Sequence, residues 1–137
     1  MKTINFGYSV VFIGNNSFTN EIMLKELEFG ENLISIGKNT FQGCSSLKKL
    51  HFHDHFASVE SMSFSYIPLL ATVSFDGMYD LTVGQGNAFS NDFTLDFVLV
   101  DKNYNSNYFC GKSPAYFDDY GNVIIIVILN LMLQFQL

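Results

Sequence analysis

The feature that most constrains this chain is the return of large apolar residues every 23 positions. From Phe41, a step of 23 back finds Phe18 and a step forward finds Phe64, and a step of 25 then reaches Phe89. The same steps from Leu47 land on Leu24, Leu70 and Leu95, and those from Leu50 land on Leu27, Val73 and Val98. Phe52 yields Phe29, Phe75 and Val100; Ile36 yields Ile13, Val59 and, one residue late, Val83. A further step back from Leu27 and Phe29 finds Ile4 and Phe6. Chance can produce one such column, but several in one register are the mark of a repeat architecture.

The period dictates the fold class. A unit of this size cannot hide its own Leu, Phe and Ile side chains, so units must stack and bury them in a continuous column. In the unit from Ile36 to Ser58, Leu47-x-x-Leu50-x-Phe52 ends in the alternation of a half-buried strand. Gly43, Cys44, Ser45 and Ser46 supply bend residues before it. The expected architecture is a leucine-rich-repeat-like solenoid with a parallel β-sheet on one face. Short helical or turn segments make the return, which Ile36-Gly37 opens, and a β-hairpin lies near the C-terminus. The expected boundaries are a partial unit at 1–12, units at 13–35, 36–58, 59–82 and 83–106, and a variant unit with the hairpin at 107–127. An apolar tail follows at 128–137.

The residues Ile36-Gly37-x-x-x-Phe41-x-Gly43-Cys44-Ser45-Ser46-Leu47-x-x-Leu50-x-Phe52 resemble the BspA-type leucine-rich repeat, whose unit reads roughly S-I-G-x-x-A-F-x-G-C-x-x-L-x-x-I-x-I-P. Thr40 replaces the usual Ala and His53 the usual Pro. Other units are more degenerate: Glu21, Ile67 and Asp92 stand where this unit has Cys44. The stretch from Val100 to Ile124 is similar to a variant unit of the same family with an inserted hairpin, and Asp118-Asp119-Tyr120-Gly121-Asn122 is a good turn between two β-prone runs. The resemblance covers residues 4–127 and implies a non-catalytic adhesion protein, secreted or surface-associated, that binds host proteins or other cells. Met1–Tyr8 carries one charge, no continuous apolar run and no cleavage site, so it does not read as a signal peptide. A cytoplasmic location is therefore the competing expectation.

Strand alternation places a second set of residues on the outer sheet face. One rung reads Thr3, Glu26, Lys49, Thr72, Phe97; the next reads Asn5, Glu28, His51, Ser74, Leu99; a third reads Gly7, Gly30, His53, Asp76, Asp101. Solenoids commonly use such a face for partners. The expected partner-binding face is Glu26, Glu28, Lys49, His51, His53, Thr72, Ser74, Asp76, Phe97 and Leu99. Glu26 and Lys49 are expected to pair across rungs. Phe97 and Leu99 are apolar on a polar face: exposed, they form a contact spot, and otherwise the C-terminal segment covers them. His51-Phe52-His53-Asp54-His55 raises a metal reading, because His51 and His53 share a face with Glu28 and Asp76 and imidazole with carboxylate suits Zn²⁺. An open sheet without cysteine ligands or an enclosing pocket favours solvated histidines, so no metal and no cofactor is expected.

Other chemistry is sparse. A net charge of −6 with scattered basic residues excludes a nucleic-acid footprint. Cys44 and Cys110 stand 66 residues apart and read as two buried free thiols. No nucleotide-binding, zinc-protease or serine-hydrolase motif occurs, and Gly84-Gln85-Gly86 accommodates the longer spacing before Phe89. Asn15-Asn16-Ser17 is a glycosylation sequon, meaningful only in a secreted chain. The run Val123–Leu137 is too short and too interrupted by Asn130, Gln134 and Gln136 to span a bilayer. Three readings of it stand: a covering strand or helix continuing the hairpin, the start of a membrane anchor, or sequence of frame-shifted or non-biological origin. The expected function is a non-catalytic protein-binding module of adhesion or cell-surface type. The rival is a structural fragment of a longer surface repeat protein with no site of its own.

Overall fold

Among the described residues eleven short strands follow one another, and all but the last lie in parallel ladders: β1 (Lys2–Asn5), β2 (Phe12–Ile13), β3 (Leu24–Glu28), β4 (Ser35–Ile36), β5 (Lys49–Phe52), β6 (Ser58–Val59), β7 (Thr72–Phe75), β8 (Thr82–Val83), β9 (Phe97–Val100), β10 (Ser113–Phe117) and β11 (Val123–Ile125). The computed structural model describes residues 2–83, 87–92, 94–106, 108–110, 112–117 and 123–125. Residues 84–86, the expected turn at 118–122 and residues 126–137, which include the expected apolar tail at 128–137, lie outside the described residues.

The coil has three walls. The first is the expected parallel sheet, in which β5, β7, β9 and β10 pair in order, with Leu50 opposite Val73 and Phe75 opposite Val100. The second is a four-stranded parallel sheet of two-residue strands, β2-β4-β6-β8, with Ile13 beside Ile36 and Ile36 beside Val59. The third is a ladder between turns. Phe18 N–H donates to Thr40 O at 2.9 Å, Phe41 N–H to Ser63 O at 2.8 Å, and Phe64 N–H to Ala88 O at 2.8 Å. These inter-coil bonds supply the partners that a buried backbone requires.

The return segments are turns and two-residue strands; among the described residues none is helical. This corrects the helical option of the sequence reading. Left-handed backbone at Asn20, Gly43, Tyr66 and Asn91, and again at Asn16, Asn39 and Met62, turns the chain at matched points of successive coils. Residues with positive φ interrupt a right-handed helix before it can start. Gly43 is fitted to its place twice over, because a Cβ there would also lie 2.1 Å from Asn20 Oδ1.

Inside, the repeat columns become stacks of rings and branched chains. Phe18, Phe41, Phe64 and Phe89 stack with centroids 5.3, 5.4 and 5.4 Å apart and planes within 11°. Phe6, Phe29 and Phe52 form a second stack at 5.8 and 5.2 Å. Leu24, Leu47, Leu70 and Leu95 are buried in the same core. At the far end, β10 and β11 pair antiparallel, as the two arms of the expected hairpin. Among the described residues no helix is long and apolar enough to cross a membrane.

Candidate partner-binding face

The ladder fixes where the outward residues lie. Lys49 stands opposite Thr72, His51 opposite Ser74, and Ser74 opposite Leu99. Thr3 stands opposite Glu26 and Asn5 opposite Glu28. The rungs thus run as the 23-residue step requires within each block of strands. They are broken in one place: β1 and β3 form a sheet of their own, and no ladder joins β3 to β5.

That break is a correction to the expected continuous sheet, and the pairing of β3 with β1 is itself irregular. Lys2 pairs with Leu24 but Thr3 pairs with Glu26, so Lys25 is an extra residue between two rungs. A bulge of this kind bends and twists the strand that carries it. The inside stays closed, since Phe29 and Phe52 remain stacked at 5.2 Å. On the outside a cleft of about 860 Å³ opens, with Lys25, Glu26 and Glu28 on one wall and Lys49, His51 and His53 on the other. Leu27 and Phe29 lie at its base. Side chains tie the two coils beyond its ends: Ser46 Oγ donates to Ile22 O at 2.5 Å, and His55 Nδ1 lies 3.1 Å from Glu31 O.

The opening also undoes the expected pair of Glu26 with Lys49. Glu26 instead accepts from Thr3 Oγ1 at 3.4 Å, on the β1 side of the break. Glu28 likewise turns to Asn5 Nδ2. Lys49 makes no ion pair among the described residues and is left exposed at the cleft wall.

Two of the three histidines and one carboxylate come together beside the cleft. His51 Nε2 lies 2.9 Å from Asp76 Oδ2, and His53 Nδ1 lies 3.7 Å from the same oxygen. The His51 Nδ1 atom is 2.7 Å from Ser74 Oγ, and the two imidazole rings meet edge to face at 4.9 Å. Asp76 N–H donates to Phe52 O at 3.0 Å, which continues the β5–β7 ladder past both strand ends and sets the carboxylate in place. Glu28, which shares the rung of His51 in sequence, is held by Asn5 and stays out of this group.

Phe97 and Leu99 are half-buried on the outer face of β9, between the exposed contact spot and the covered pair that the sequence left open. More apolar surface is exposed elsewhere: Phe12 lies on β2 and Ile34 just before β4, and Leu69 sits at the cleft. The two cysteines are buried and free. Burial pushes the Cys44 thiol up to about 11, and burial raises Cys110 as well, so neither is a nucleophile near neutral pH. Asp92, in the column of Cys44, is the one buried carboxylate among the described residues. Its Oδ1 accepts from Ile67 N–H at 2.7 Å while Oδ2 is buried with no partner among the described residues, and burial lifts its pKa to about 7.

The cleft itself was missed in the sequence, because the inward columns Leu24/Leu47 and Leu27/Leu50 keep the same 23-residue step across it, and the outward pair Lys25-Glu26 has its counterpart in Lys48-Lys49. Comparison with known families finds the BspA type leucine-rich repeat region, matching six copies over residues 1–113. Neither a curated protein nor a solved structure matches the chain.

Proposed function

Because this chain belongs to the BspA-type leucine-rich repeat family, we propose that it is a non-catalytic protein-binding module of adhesion or cell-surface type. Repeats of this family are generally non-catalytic and generally mediate protein–protein contact. The partner is a protein segment taken on the outer sheet face, at the cleft between β3 and β5. The observation that carries this reading is the broken ladder. It presents two facing strand edges, a floor of Leu27 and Phe29, and charges of both signs in one concave place. Backbone edges give an incoming segment hydrogen bonds, and side chains around them give specificity. Five residues of the expected binding face, Glu26, Glu28, Lys49, His51 and His53, line this cleft. Thr72, Ser74, Asp76, Phe97 and Leu99 extend the face along β7 and β9.

The test is binding of the immobilised chain to a panel of extracellular-matrix and cell-surface proteins. Saturable binding is expected, weakened about tenfold or more by Glu28→Lys with Lys49→Glu. Lys38→Glu, away from the cleft, is expected to leave it unchanged. Phe97→Ser with Leu99→Ser measures how far the contact reaches along β9. Absence of any saturable partner, or binding indifferent to the cleft, would favour the rival reading of a structural fragment.

A further inference from the structure

We propose that His51, His53 and Asp76 form a binding site for a single borderline divalent transition metal, of which Zn²⁺ is the type. The inference stands apart from partner binding and needs none of it. One carboxylate oxygen of Asp76 faces a nitrogen from each of two imidazoles, at 2.9 and 3.7 Å. All three donor atoms lie within 4.8 Å of one another. A tetrahedral zinc site with bonds of about 2.0–2.1 Å holds its ligand atoms roughly 3.3 Å apart. The two distances from the carboxylate oxygen bracket that value, and the third lies within 4.8 Å, so the set is close to coordination distance before an ion enters.

The backbone and a neighbouring hydroxyl already aim the ligands. His51 is fixed by its rung opposite Ser74, whose Oγ lies 2.7 Å from Nδ1 and leaves Nε2 turned toward Asp76. That is the arrangement by which a second group orients a metal-bound imidazole. Asp76 is fixed by its N–H bond to Phe52 O. The parallel ladder therefore sets the relation between β5, which carries His51 and leads into His53, and β7, which leads into Asp76. Two nitrogens and one oxygen favour Zn²⁺, Co²⁺ or Ni²⁺ over Ca²⁺ and Mg²⁺, which demand oxygen. The half-exposed Asp76 leaves a fourth position to water.

The chain contains only three histidines, which makes the test direct. Zn²⁺ alone is titrated into the tag-free chain and followed by calorimetry and by histidine-selective ¹H–¹⁵N NMR. One equivalent is expected to bind, with the ring signals of His51 and His53 shifting and those of His55 still. Asp76→Asn, which keeps shape, and His51→Ala are each expected to weaken binding about tenfold or more, Ser74→Ala about tenfold, and His55→Ala not at all. Circular dichroism confirms that the surface variants keep the fold. No zinc uptake, uptake that moves His55 instead, or uptake that survives Asp76→Asn and His51→Ala would overturn the site.

Discussion

Replacing Asp92 by Asn should change how the stability of this chain depends on pH. Asp92 is 2% exposed, with one oxygen bonded to Ile67 N–H and the other without a partner among the described residues. Loss of hydration raises its pKa from 3.8 to about 7, against the opposing pulls of the Ile67 bond and of Lys112. A folded pKa above the unfolded one means that the folded state keeps its proton where the unfolded chain has released it. Stability then falls as pH rises from about 4 to about 7, and levels off above. Three pKa units correspond to at most about 4 kcal/mol of penalty for the ionised form. Asn keeps an oxygen for the Ile67 N–H and cannot ionise, and its amide inherits the unpartnered position. The variant should therefore match the parent near pH 4 and exceed it by up to about 4 kcal/mol near pH 8. Urea unfolding of both proteins across that range reads the difference, in which other carboxylates cancel. Parallel pH profiles would show that Asp92 is not the buried acid described here.

Two further outcomes follow from the packing. Phe41 is fully buried between Phe18 and Phe64, so Phe41→Ala should cost about 3–5 kcal/mol in urea unfolding, whereas Phe12→Ala, at an exposed ring, should stay within about 0.5 kcal/mol. Gly30→Ala would set a Cβ 1.8 Å from Gly7 O and should destabilise by about 1–3 kcal/mol, seen as a lowered Tm.

The parts of the fold that could be read in the sequence are those that repetition multiplies. One Phe at 41 says little, but its echoes at 18, 64 and 89 fix an inward column, and the rings stack where the arithmetic puts them. The second sheet was hidden because Ser35–Ile36 and its counterparts are two residues long, too short to show alternation. The left-handed turns were half-visible: Asn16, Asn20, Asn39, Gly43 and Asn91 are residues that tolerate positive φ. Met62 and Tyr66 are not, and adopt it because inter-coil bonds on either side hold the chain there, as Phe64 N–H does to Ala88 O. The outward rungs were read correctly in register but not in partnership. Glu26 and Lys49 share a rung number yet lie on opposite sides of an opened wall. Asp76 belongs by number to the rung of His53 but lies nearer His51.

A solenoid can open one wall because the other two carry the stack. Between the coils of β3 and β5, the bonds Asn16 N–H to Lys38 O, Phe18 N–H to Thr40 O and Asn20 N–H to Gln42 O are intact, at 2.9, 2.9 and 2.8 Å. The β2–β4 pairing is intact as well, and the Phe29–Phe52 stack continues through the core. What is given up is a few ladder bonds, each worth about 0.5–1.5 kcal/mol net, because water reaches the freed groups from the cleft. The apolar column, which contributes most of the stability, is untouched. Period-two alternation makes this separation general: inward positions must pack against the neighbouring coil, whereas outward positions face solvent and can vary without disturbing the core. The unit from Ile36 to Ser58 illustrates it. It is the unit closest to the family pattern on its inner face, and on its outer face it supplies Lys49, His51 and His53 to the cleft and the histidine group.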